Sequence, residues 1–224
     1  MNDHFSMKEI DKNLVDLTHT ISPDITVWPG DSSPDFTRLS DTEEDNPQLS
    51  EFKMNAHTGT HVDAIRHFVE GGTSVDRMPL SKYCGRAVLW RRNKKPRGEE
   101  ITLEEVQKAD LGLEEDDIFV LDTKIHQYMG SGKFIEYFPT PEIALLEWLI
   151  EKGIKAYGTD APGIDQVGSE KSEKHRALLS EDVPVMENLA NLNKITQNQY
   201  FVLMALPLKL KDFDGSPCRA IAIT

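Results

Sequence analysis

Pro141-Glu142-Ile143-Ala144-Leu145-Leu146-Glu147-Trp148-Leu149-Ile150-Glu151-Lys152 is followed by Gly153 and then by Ile154-Lys155-Ala156-Tyr157-Gly158-Thr159. In the first part Ile143, Leu146, Leu149 and Ile150 recur at helical spacing behind Thr140 and Pro141, and Gly153 is a helix stop. The second part has a short strand pattern, and Ile118-Phe119-Val120-Leu121-Asp122 upstream is the apolar run of a buried strand. Strand, helix and strand with short joints predict a βαβ unit, hence an α/β fold with a parallel, right-handed section of sheet. Asp160-Ala161-Pro162-Gly163-Ile164-Asp165 then leaves the C-terminal end of that strand, a usual place for site loops in such sheets.

Outward from this unit the elements are shorter. Leu14, Val15, Leu17 and Ile21 predict a first strand within Asn13–Ile21, with His19 hydrogen-bonded near its end, behind a polar stretch 1–12 that is frayed or a short helix. Pro23–Pro34 is dense in chain breakers and predicts a loop. It carries Trp28, an aromatic suited either to lining a pocket or to capping the core. Asp41, Glu43, Glu44 and Asp45 mark Phe36–Leu49 as a solvated loop or hairpin tip, and Arg91–Glu100 reads as an exposed connection. Ser50–Met54 and Cys84–Arg91 are strand patterns. Thr102–Ala109 predicts a short helix with Thr102 and Glu105 as its capping box. Tyr200–Leu208 and Ala220–Ile223 predict two strands joined across Asp212–Pro217.

The chain of 224 residues fits one domain, 1–224, with a full hydrophobic core. A formal charge of −13 argues against nucleic acid and anionic membranes as partners, because both demand a basic surface. The N-terminal residues lack the apolar core of a signal peptide and no run reaches the length of a membrane span, so a cytoplasmic location is expected. Cys84 and Cys218 are too few and too far apart for a disulfide framework or a thiolate zinc site.

The chemistry concentrates in Asn55-Ala56-His57-Thr58-Gly59-Thr60-His61-Val62-Asp63-Ala64-Ile65-Arg66-His67-Phe68, which holds three of the seven histidines. His57, His61, Asp63 and His67 all fall on odd positions, so extended backbone would direct all four to one face. A straight strand would still hold His57 about 20 Å from Asp63, whereas ligands of one ion lie within ~2.0–2.2 Å of it. The chain must therefore bend, and Gly59 permits the bend. Imidazoles with a carboxylate suit zinc, manganese or iron, so ligand type alone leaves the metal open. Farther on, His175 precedes Glu187 by twelve residues, and Glu187 sits in the apolar run Val183-Pro184-Val185-Met186, where a carboxylate is costly unless paired or bound to a cation.

Together these stretches resemble the cyclase family of metal-dependent hydrolases, which includes bacterial kynurenine formamidase and isatin hydrolase. The resemblance spans most of the chain: Asp16-Leu17-Thr18-His19, Trp28-Pro29-Gly30-Asp31, the His57–His67 stretch, Gly158–Asp165, His175 with Glu187-Asn188-Leu189, and Asp214-Gly215-Ser216-Pro217 with Arg219-Ala220. It implies a mixed, barrel-like sheet with flanking helices, of the swivelling β/β/α type. It also implies one or two divalent ions, zinc or manganese, with His57, His61 and Asp63 on one and Asp63, His175 and Glu187 on the other, Glu187 being shared. His67 would be the general acid/base, with Trp28 and Phe68 against a flat aromatic amide, and the chain would be a homodimer or larger. Position 65, commonly proline in the family, is Ile65 here.

The activity so implied is hydrolysis of an aryl formamide of the N-formylkynurenine kind by metal-activated water. Opening of a cyclic amide or lactone needs the same machinery. A metal-stabilised module that only holds an aromatic ligand is the reading from another class, against which His67, beyond the ligand set yet on the same face, is the main argument. A nucleophilic hydrolase has no Gly-x-Ser-x-Gly elbow to rest on.

Overall fold

The computed structural model describes residues 13–42, 47–195 and 200–224, so the readings of residues 1–12 and of Glu43, Glu44 and Asp45 lie outside the described residues. In chain order the strands are β1 (Leu14–Asp16), β2 (Asp35–Ser40), β3 (Leu49–Lys53), β4 (His61–Asp63), β5 (Cys84–Arg91), β6 (Glu100–Ile101), β7 (Ile118–Asp122), β8 (Thr140–Pro141), β9 (Ala156–Thr159), β10 (Val185–Glu187), β11 (Tyr200–Met204), β12 (Gly215–Pro217) and β13 (Ile221–Ile223). The α-helices are α1 (Leu103–Gln107), α2 (Gly132–Glu136), α3 (Ile143–Glu151) and α4 (Glu173–Ser180).

β7 and β9 are adjacent and parallel, with Ile118 opposite Ala156 and Leu121 opposite Thr159, and α3 lies between them in the chain. The helix starts later than its pattern suggests. Thr140–Pro141 is drawn off to pair with β6, leaving Glu142 as the residue that precedes the first turn. Leu145, Leu146 and Leu149 face the core, while Ile143 and Ile150 are half-buried. Gly153 ends the helix at φ +76°, a left-handed conformation natural to glycine. The capping box on α1 forms as predicted, Glu105 N donating to Thr102 Oγ1 and Thr102 N to the Glu105 carboxylate.

Nine strands make one mixed sheet in the order β1-β13-β11-β5-β7-β9-β10-β4-β12. β5, β7, β9 and β10 run parallel in its centre, flanked by antiparallel pairs. β13 and β12 stand seven places apart, which in a flat sheet is roughly 34 Å at ~4.8 Å per strand. Yet only residues 218–220 join them, and four Cα steps of ~3.8 Å reach about 15 Å. The sheet must therefore roll up, and backbone bonds stitch its edges: Leu17 N donates to Ala220 O (2.9 Å), Ala190 N to Leu17 O (2.8 Å) and Cys218 N to Thr60 O (3.0 Å).

This curl corrects two expectations. β1 ends at Asp16 because Leu17 turns into those cross-edge bonds. The segment between the last two predicted strands is no simple joint, since Gly215–Pro217 crosses to pair with β4. Two further readings change. Asp35–Ser40 is a strand, paired with β3 in a separate hairpin that exposes Phe36, Leu39, Leu49 and Phe52. Arg92, expected on an exposed connection, is buried and ion-paired to Glu99 at 2.9 Å. Among the described residues no helix is long and apolar enough to cross a membrane.

Candidate active site

The bend predicted at Gly59 exists, with φ +66°. A Cβ there would lie 3.0 Å from Ile21 Cγ1, so both conformation and packing favour glycine. The turn folds His57 back until its Nδ1 is 2.8 Å from Asp63 Oδ1. Only His61–Asp63 is strand, and its alternation puts His61 and Asp63 on one face. His67 arrives through a 3-10 turn, Ile65–His67. The continuous extended face expected from 57 to 67 is thus replaced by turn, strand and turn, because convergence on one point requires the ends to double back. Gly59→Ala is expected to cost roughly 1–2 kcal/mol from left-handed backbone alone. It should also lower metal content, read by denaturant midpoint and elemental analysis.

The second half of the cluster comes from sheet register. β10 runs antiparallel to β4 with Glu187 directly opposite His61. α4 brings His175 to the same point, its Nε2 3.2 Å from Glu187 Oε1 and 3.6 Å from Asp63 Oδ2. His61 Nε2 lies 3.4 Å from both Asp63 Oδ1 and Glu187 Oε2. The structure therefore brings together all five residues expected to ligate metal. Donor atoms of His61, Asp63 and Glu187 fall within 4.8 Å of one another, as do those of His57, Asp63 and His67, so Asp63 belongs to both groups.

Each of the three candidate ligand imidazoles has its other nitrogen held by a fixed acceptor. His57 Nε2 faces Asp214 Oδ2 at 3.0 Å, His61 Nδ1 faces the Gly59 carbonyl at 2.9 Å, and His175 Nδ1 faces Asp165 Oδ2 at 2.6 Å. That arrangement fixes tautomer and ring direction in metal-ligating histidines. His61 Nε2 and Asp63 Oδ2 are buried without a hydrogen-bond partner, although surrounded by complementary atoms. Orphaned atoms of this kind, in a nest of imidazoles and carboxylates, fit a divalent cation.

The sequence offers Asp214 and Gly215 only as part of a motif in the resemblance, with no role attached, and Asp165 only as part of a loop. Asp165 also accepts from Lys174 N and His175 N, so it anchors the start of α4. A Cβ on Gly215 would stand 2.6 Å from His57 Cε1, so this glycine makes room for the ring. No local spacing advertises either contact.

Electrostatics follow from this packing. Burial opposes charge on His57, but Asp63 and Asp214 outweigh it and raise its pKa to about 9. His61 and His175 are likewise opposed by burial, then raised to about 10, by Asp63 with Glu187 and by Asp165 with Glu187 respectively. Asp63 is held well below the usual carboxylate range: burial pushes it up, and His67 and His57 more than reverse this. A histidine whose folded pKa exceeds 6.5 contributes stability that is complete below 6.5 and lost as pH climbs toward the folded value. Chelator-treated protein should accordingly lose thermal stability between about pH 6.5 and 9–10. Metal-loaded protein should lose less, and melting curves across that range compare the two.

The cluster opens into a cavity of about 380 Å³ lined by Trp28, Phe68, Asp31 and Gln166 among others. Phe68 packs on His67 and His175, with ring centroids 4.3 and 4.6 Å apart. Trp28 does both things its sequence context allowed, lining the cavity and meeting Phe138 edge-on at 5.9 Å. Gly163 lets the indole approach, since a Cβ there would be 2.8 Å from Trp28 Cζ3. A second group, Asp122, His126 and Asp160, also has metal-like spacing. Its carboxylates are already engaged by Arg91, Lys124 N, Thr123 and His126. His19 lies beside it, with burial lowering its pKa to about 4.

A family model described as "Putative cyclase" matches residues 15–166. The chain belongs to the cyclase family. Kynurenine formamidase of Erythrobacter litoralis (strain HTCC2594) is 32% identical over 211 residues, covering 94% of this chain and 93% of that protein. Isatin hydrolase A from Labrenzia aggregata, solved with benzyl benzoate, superposes with a TM-score of 0.83 at 27% identity, covering 93% and 92% of the two chains. The structure of a predicted metal-dependent hydrolase from Bacillus stearothermophilus superposes with a TM-score of 0.76 at 27% identity, covering 93% of this chain and 97% of that one. Ile65 is buried in the main core, and its carbonyl accepts Val69 N at 3.1 Å. Arg66 donates to the carbonyls of Gly72 and Asp212.

Proposed function

We propose that the chain is a metal-dependent hydrolase of a small aryl amide, most simply an aryl formamide such as N-formylkynurenine. What carries this reading is the convergence of His57, His61, Asp63, His175 and Glu187, with one ring nitrogen of each histidine directed at the Asp63 or Glu187 carboxylate, beside a histidine, His67, left for proton transfer. Zinc is the proposed ion and manganese the alternative, held by those five side chains. A bound divalent ion would lower the pKa of water from 15.7 toward about 7 and polarise a carbonyl.

The remaining work falls to the chain. Trp28 and Phe68 offer flat apolar faces that orient an aryl ring, and His67 accepts a proton and then returns it to the leaving amine. Phe68, packed against His67 and His175, also shields the cluster from water on that side. Association of at least two copies belongs to this reading, supported by the exposed apolar side chains of the β2–β3 hairpin.

Among the described residues lining the cavity there is no lysine or arginine, whereas Asp31, Asp165 and Asp214 are present. The site should therefore prefer neutral or ammonium-bearing amides over anionic ones. The deciding experiment assays N-formylkynurenine, formanilide, N-formylanthranilate, isatin and a lactone side by side with zinc and with manganese. Expected is turnover of the first two with N-formylanthranilate at least tenfold slower. Turnover of isatin alone would instead establish the cyclic-amide reading, and binding of all without turnover the ligand-holding module.

A further inference from the structure

Asp214 lies between two rings with different duties. Its Oδ2 is 3.0 Å from His57 Nε2 and 3.2 Å from His67 Nδ1, and the two imidazoles stack with centroids 4.0 Å apart at 29°. The carboxylate is held in place from its backbone. Asp214 O accepts Ala64 N at 2.8 Å, Phe213 O accepts Val75 N at 3.0 Å, and Gly215 pairs with Asp63 in the β12–β4 register. The side chain is thus placed by the same strand that carries His61 and Asp63.

A carboxylate accepting the N–H of one ring nitrogen fixes the imidazole tautomer and frees the other nitrogen for proton transfer. We propose that Asp214 is the positioning residue of His67: it holds the ring as the Nδ1–H tautomer, so that Nε2 is the nitrogen that takes the proton. Through the same oxygen it aims His57 at Asp63, which links the direction of the proton-transfer histidine to that of a candidate metal ligand. The proposal rests on the reading of His67 as the group that moves the proton. His57 stacks on the ring and Phe68 meets it at 72°, so both neighbours restrain rotation of His67 while Asp214 sets its tautomer.

The test uses the full-length zinc-loaded protein, ring-15N-labelled at histidine, in wild-type, Asp214→Asn and Asp214→Ala forms. Asp214→Asn preserves volume should the alanine variant fail to fold. Expected is a wild-type His67 protonated on Nδ1, a shift of that ring toward the Nε2–H tautomer in the variants, and kcat lower by about 100-fold in saturating zinc. A wild-type His67 protonated on Nε2 would overturn the proposal. So would variants whose His67 tautomer is unchanged, or whose kcat is fully restored by excess zinc, since Asp214 would then serve His57 alone. The ring spectra decide the matter even if no aryl amide is turned over, which keeps its failure separate from failure of the proposed function.

Discussion

Glu187→Ala is expected to purify folded, without its metal and without measurable turnover. The residue is buried, and its two oxygens face His175 at 3.2 Å and His61 at 3.4 Å from a strand position fixed opposite His61. Its backbone position is fixed, because β10 is paired on both edges. Loss of a partner outside the ligand set of a metal typically costs ~10–100-fold in affinity, and loss of a ligand should exceed that. Folding should survive, since neutralising the site removes part of what holds His61 and His175 protonated, and both can lie neutral in its place. Elemental analysis after dialysis and turnover in excess zinc read the two effects. Full metal content in the variant would remove Glu187 from the ligand set and, with it, the meeting of the two halves of the site.

His67→Ala should give the opposite pair of results, metal retained and kcat reduced by about 10²–10⁴-fold. His67 stacks on His57 and abuts Phe68, but the principal contacts among His61, Asp63, His175 and Glu187 do not pass through it. Truncation removes a proton carrier while leaving those donors in place. Elemental analysis with steady-state rates on the same sample makes the comparison, and an unchanged kcat would exclude His67 from proton transfer.

The contrast between these variants shows which parts of the site a linear reading can reach. The Thr102–Glu105 capping box, β5 and β7 were legible because a cap and an apolar run are short-range, and the structure reproduces them. The odd-numbered set His57, His61, Asp63 and His67 was legible for a different reason: residue type and Gly59 signal a bent cluster whatever the exact backbone. The continuous extended face drawn from that numbering was not correct, since period-two reasoning holds only within a strand and the strand here is three residues, His61–Asp63. Asp35–Ser40 escaped notice because the acidic run beside it dominated the composition of that segment.

By itself the sequence determined the parallel centre of the sheet, the residue types that can bind a cation, and the bend that must lie among them, for each follows from apolar periodicity, donor chemistry or glycine's backbone freedom. Only the tertiary structure decided that Glu187 stands opposite His61, that the ring of His57 rests over Gly215, and that Asp214 reaches both His57 and His67. Those facts depend on how far the sheet curls, and the curl is set by three residues joining strands seven places apart. Such closure is a property of the whole packed sheet, and no spacing along the chain encodes it.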